Sequence, residues 1–150
     1  MKPDNLQPHP EGGRYQEVYR STTTITNNDG RRRDSLTHIY FSLQPDEVSK
    51  FHRVGSDEVW NLYQGPGLTL YLWDGSEKQP EEIELSARAN CFCYVVPAGW
   101  WQATRPLGDE ILVGCSVAPG FEFQDFELIQ PNAAEAQRLQ QFGEKYRDLI

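Results

Sequence analysis

The chain lacks any apolar run approaching the ~20 residues of a membrane span, and its opening segment, MKPDNLQPHPEGG, has no apolar stretch of the signal-peptide kind. The expectation is a soluble, cytoplasmic protein with no membrane partner. Basic residues are the minority, 14 Lys and Arg against 22 Asp and Glu, for a net charge of −8. Such a surface repels phosphate backbones and anionic lipid, so nucleic acid is not expected as a partner. Cysteines are few and odd in number, at positions 91, 93 and 115. Residues two apart on an extended strand lie ~6.5–7 Å apart, at or beyond disulfide reach, so reduced thiols are expected. Cys91 and Cys93 share a strand face, yet nothing nearby completes a soft-metal ligand set, and both read as small buried thiols.

What is present is a rhythm. Apolar and polar residues alternate with period two in RYQEVYRS, LTHIYFSL, EVWNLYQG, LTLYLW, EEIEL, CFCYVV, WWQAT and EILVGCSV, with FEFQDFELI as a possible last strand. The turns between them carry NNDG, GPG and DG, residues that tolerate positive φ or pre-set a bend. Eight or nine short strands predict an all-β sandwich or jelly-roll barrel. After Pro131 the period changes: Leu139, Phe142, Tyr146 and Leu149 recur at helical spacing, and Asn132 with Glu135 resembles a capping box. The chain, 150 residues, reads as one domain, with a barrel over about 12–130 and a C-terminal helix over about 132–148, broken near Gly143. The arginines of NNDGRRRD read as solvated, with a mobile clamp for a phosphate-bearing ligand as the rival.

Alternation assigns the faces. In LTLYLW the leucines are the natural core, which turns Tyr71 and Trp73 outward, where two large aromatics call for a cover; a homodimer is expected to supply it. On the strand after Ser56, Glu58, Trp60 and Leu62 share one face. His52 precedes it on the neighbouring strand, so a histidine and a carboxylate enter one apolar interior, which is costly unless they pair with each other, a ligand or a metal.

The spacing His52, Val54, Glu58, Gly65 resembles the first cupin motif, H-x-H-x3-E-x6-G, and Pro97, Gly99, Gln102 resembles the second, P-x-G-x2-H. Four longer stretches, HPEGGRYQEVYRS, FHRVGSDEVW, VPAGWWQA and GCSVAPGFEFQDFEL, look like the cupin-5 group of jelly rolls, long labelled a domain of unknown function. The resemblance implies a cupin-type double-stranded β-helix. In metal-binding cupins the four motif positions supply three histidines and a glutamate. Here Val54 offers no donor and Gln102 only a neutral amide oxygen, which leaves a set poor in nitrogen, and no metal or other cofactor is expected. Two departures from the cupin-5 pattern stand out: Asn61, where that group often has histidine, and NCFCYVV before the proline.

The function these residues suggest is a metal-free isomerase or epimerase acting on a sugar-like or other small polar metabolite, as in the deoxysugar epimerases the barrel resembles. His52 is the expected base, with Glu58 orienting it or raising its pKa, and a tyrosine the expected acid, Tyr40, Tyr71 and Tyr94 being available by type. Trp60 and Trp100 are expected to wall the cavity and Gln102 to bond the ligand. The alternatives are a non-catalytic small-ligand-binding cupin and a metal-dependent enzyme using His52, Glu58 and Gln102. His9, in HPEGG, and His38 read as structural, and APGFEF as a turn.

Overall fold

The computed structural model describes residues 3–150. In chain order the strands are β1 (Gln7–Pro8), β2 (Arg14–Arg20), β3 (Thr24–Thr26), β4 (Arg32–Asp34), β5 (Thr37–Leu43), β6 (Ser49–Arg53) and β7 (Asp57–Gln64). They continue with β8 (Leu68–Trp73), β9 (Glu81–Leu85), β10 (Cys93–Val96), β11 (Trp101–Pro106), β12 (Ile111–Ala118) and β13 (Glu127–Leu128), followed by helix α1 (Ala134–Phe142). A six-stranded sheet, β1-β2-β5-β12-β7-β10, faces a five-stranded one, β13-β6-β11-β8-β9, and β3 with β4 forms a separate hairpin. Every pairing is antiparallel. This is the expected cupin jelly roll with a C-terminal helix. No helix among the described residues is long and apolar enough to cross a membrane.

The core lies between the sheets. Leu68, Leu70 and Leu72 of β8 meet Phe41, Leu43, Ile111 and Val113 from β5 and β12, all buried. The two-residue period that fills this layer leaves the outer face of the five-stranded sheet apolar as well, since Phe51, Tyr71, Trp73, Trp101 and Ala103 point away from it. Those side chains are not exposed, and a part of the same chain covers them. That part is the chain's own end: Leu139 of α1 and Tyr146 and Leu149 of a short 3-10 segment (Glu144–Leu149) pack on them, with Tyr71–Tyr146 and Trp73–Phe142 in edge contact. The expectation of a dimer cover over Tyr71 and Trp73 is therefore corrected by an intramolecular helix.

Three local expectations also change. Helix α1 starts two residues into the predicted segment with Ala133 as its cap and no side-chain capping bond, so Asn132 is not an N-cap. The stretch FEFQDFELI is mostly a 3-10 turn, Phe123–Asp125, and only Glu127–Leu128 pair as a strand. NNDGRRRD is the β3–β4 hairpin: Arg33 is buried, and its guanidinium grips the Asp125 carboxylate with two bonds of 2.7 Å. Bidentate pairing of that kind anchors a loop, which here is the aromatic segment beside the cavity described next.

Candidate functional site

One end of the barrel holds a cavity of about 200 Å³ lined, among others, by His9, Glu11, Tyr15, His52, Val54, Glu58 and Cys115. Two sheets and one loop build it. His52 is on β6, whose alternation sends Phe51 outward to the helix and His52 inward. Glu58 is on β7 in the opposite sheet, also inward. His9 and Glu11 arrive on the turn between β1 and β2. Its Gly12 and Gly13 both have positive φ, and a Cβ on Gly12 would collide with the Val48 carbonyl, so only glycine lets the turn press against the barrel. The Glu11 carbonyl then accepts from the Lys50 amide and its carboxyl accepts from the Ser49 hydroxyl at 2.9 Å.

The partner of His52 is Glu11. The imidazole Nε2 lies 3.0 Å from Glu11 Oε2, while Nδ1 lies 2.7 Å from the Lys50 carbonyl oxygen. A carbonyl only accepts, so Nδ1 carries the hydrogen and Nε2 of the neutral ring is an acceptor. Burial pushes the His52 pKa down to about 3, against a smaller opposing effect of the Lys50 carbonyl. Burial likewise holds the Glu11 carboxyl well above its ordinary range, with the charge of Glu58 adding to it and Ser49 opposing it. Both shifts favour the uncharged forms, and a ring that accepts at Nε2 calls for a hydrogen on Glu11 Oε2, so the geometry is that of a neutral pair sharing the Glu11 proton. His9 Nδ1 stands 3.3 Å from the same Oε2, and burial lowers its pKa to about 4.

Glu58 is a separate group. Its Oε1 accepts from Gln102 Nε2 at 3.1 Å, and burial raises its pKa to about 7 despite the bonds from Gln102 and Cys115. The expectation that Glu58 orients His52 is thus corrected: the two line one cavity from opposite sheets, but His52 is held by Lys50 and Glu11, and its pKa falls rather than rises.

Trp60 and Gln102 lie behind the cavity. Gln102, fully buried, uses its oxygen to accept from Trp60 Nε1 at 2.7 Å and its amide nitrogen to hold Glu58, and Trp60 belongs to the core between the sheets. Trp60 shares the Glu58 face of β7 as expected, but it and Gln102 lie one step deeper. Trp100 precedes β11 and packs, half-buried, against the same core. None of the three lines the cavity. Among tyrosines, Tyr71 is under the helix, Tyr94 packs on the core and Tyr40 touches Tyr63 outside the sheet; Tyr15 is the one that lines the cavity. Asn61 is on the outer face, where its amide donates to the Gly114 carbonyl. Cys93 is exposed rather than buried, and buried Cys115 reaches the cavity.

His9, Glu11, Tyr15, Arg20, Phe121 and Phe126 are among the lining residues that strand and motif reasoning missed. A signal was present: an ionisable pair two apart followed by Gly-Gly marks a turn forced against other backbone.

A transition metal does not fit the motif positions. Val54 has no donor, the Gln102 oxygen is committed to Trp60, and His52 Nε2 to Glu11. Among the described residues no three His, Cys, Asp or Glu side chains are arranged to hold a metal ion.

Two facing antiparallel sheets closing over an inward histidine and glutamate at cupin spacing define a cupin. More narrowly, the chain belongs to the cupin-5 family, described as "Cupin superfamily (DUF985)", whose profile matches residues 2–129. A protein of Shewanella oneidensis is 34% identical with a TM-score of 0.83, over 96% of this chain and 90% of that one. A hypothetical protein of Leishmania major is 30% identical with a TM-score of 0.80, over 97% and 90%. Oxalate decarboxylase of Bacillus subtilis, at 13% identity and a TM-score of 0.61 over 83% of this chain and 30% of that one, shares the fold alone. No curated protein matches the chain.

Proposed function

We propose that this protein is an isomerase- or epimerase-like enzyme that moves a proton on a small polar metabolite without a metal. The observation that carries the reading is two carboxyl groups of raised pKa reaching one cavity from different sides, Glu58 from β7 and Glu11 from the turn seated on β6. A general base works best with a pKa near the working pH, and Glu58, at about 7, is partly ionised there. It would take a proton from a carbon beside a carbonyl, leaving the electron pair on the enolate. Glu11, protonated and held by His52 Nε2, would return a proton from its own side; between turnovers Glu58 would release the proton it took to solvent and Glu11 would take one up from solvent. Gln102 is a positioning residue, fixing the Glu58 carboxylate without touching the ligand.

The test is hydrogen exchange. Incubated in deuterated buffer with a panel of small carbonyl metabolites, the protein is expected to wash out an α-hydrogen signal by NMR, with E58Q and E11Q each slowing the exchange at least about tenfold. Exchange that survives in both variants, or none with any metabolite that binds, overturns the reading and leaves a non-catalytic binding cupin.

A further inference from the structure

The chemistry of the cavity wall also speaks to the charge of what enters. Four carboxyl groups line it, Glu11, Glu17, Glu58 and Glu122, against one guanidinium, Arg20. Arg20 has no donor left for a ligand. Its Nε and one Nη bond Glu17, at 3.3 and 2.7 Å; the other Nη bonds Asp34 at 2.9 Å and Glu122 at 3.1 Å; and the fifth N–H goes to the Phe121 carbonyl at 3.1 Å. Five N–H groups meet five acceptors, which is the whole capacity of the side chain. An anionic ligand would find carboxyls and no free donor of positive charge among the described lining residues.

The rest of the wall suits the opposite sign. Phe121, Phe123 and Phe126 form a continuous ring cluster with centroids 4.9 to 6.2 Å apart. Phe126 extends it to both histidines, 5.6 Å from His52 and 5.7 Å from His9. Aromatic faces attract an alkylammonium through their quadrupole, most strongly where water is excluded, and carboxylates beside them complete the charge match. The volume, about 200 Å³, is below the ~300–1,000 Å³ of drug-sized pockets and suits a small metabolite.

We infer that the ligand of this cavity is a small organic cation, an ammonium group seated on the Phe121–Phe126 rings with its charge toward Glu58. This rests on the reading that the cavity is the ligand site and adds the substrate's charge class. Binding a fixed cation favours the ionised form of Glu58 and so displaces a proton. The groups that face Glu58 are Gln102, Cys115 and Glu11, and of the neighbouring ionisable groups the histidines keep their pKa values at about 3 and 4. Glu58 is then the group whose titration falls near neutrality.

The experiment titrates the full chain with three probes of one shape: choline, neohexyl alcohol, which replaces the quaternary nitrogen with carbon, and tert-butylacetate, the matching anion. Choline is expected to bind at least about tenfold more tightly than either. Its affinity is expected to rise about tenfold between about pH 6 and about pH 8 with proton release, while that of neohexyl alcohol stays flat. In E58Q the pH dependence is expected to vanish. Equal or tighter binding of the alcohol or the anion overturns the inference, and so does failure of choline to bind at about 10 mM. The arms separate the two readings: choline preference without hydrogen exchange on any carbonyl metabolite upholds the cation site and defeats proton transfer, and exchange with an anion-preferring cavity does the reverse.

Discussion

Glu58 keeps its proton to about pH 7 because it is buried, and that has a measurable consequence for folding. A carboxyl whose folded pKa exceeds its unfolded value near 4.5 contributes stability that is fully present below 4.5 and is lost as the pH rises through about 7. Glu58→Gln keeps the acceptor for Gln102 and removes the titration. Its stability relative to wild type should therefore climb between pH 4.5 and about 7, by on the order of 3 kcal/mol, then level off. Urea unfolding at a series of pH values measures it, and parallel curves would contradict the assignment. His52 and His9, with lowered pKa values, act in the other direction, losing stability as the pH falls below the ordinary histidine range, and the paired comparison cancels them. At this scale His52 and Glu58 were legible from spacing alone, because a motif fixes which strand and face each occupies. Glu11 and His9 were not, since their contacts depend on a turn whose landing place is 38 residues away in sequence.

Strand β7 shows what alternation does and does not reveal. It places Glu58 and Trp60 on one face correctly, but depth along the barrel decides function: Glu58 is at the cavity and Trp60, two residues on, is core. The closing Gly65 of the same motif was readable as a turn residue. Its φ is +99°, and a Cβ there would meet the Glu110 backbone carbonyl, so Gly65→Ala is expected to cost about 1–3 kcal/mol in a chemical melt. A cost under about 0.5 kcal/mol would show that the turn relaxes. Helix α1 was legible as a helix and its apolar stripe as buried, yet the surface it covers had been assigned to a second subunit. Leu139→Ala, at a site with no exposure, should cost about 2–5 kcal/mol, and the same variant should increase binding of a hydrophobic dye over Tyr71 and Trp73. A loss of stability without added dye binding would mean that the helix stays seated.

At the scale of the molecule, the two sheets differ in what covers them. The five-stranded sheet is roofed by α1 and the segment after it. The six-stranded sheet turns His38, Tyr40, Val59, Asn61, Tyr63 and Val95 outward, half-buried or exposed and without a formal charge, in a chain that is 24% charged. Homodimerisation remains our proposal, moved from Tyr71 and Trp73 to this face. Light scattering should give twice the chain mass for wild type and the monomer mass for Tyr63→Glu; a dimer unaffected by that change would place the contact elsewhere.

The central claim is that the working groups of the cavity form a neutral, proton-sharing Glu11–His52 pair rather than the remnant of a metal centre. Nitrogen-15 NMR of the histidine rings tests it directly. At pH 7 His52 is expected as a neutral ring protonated on Nδ1, with Nε2 shifted by the Glu11 hydrogen bond and no titration near pH 6.5. A His52 ring that is doubly protonated at pH 7, or that titrates near 6.5, would contradict the account.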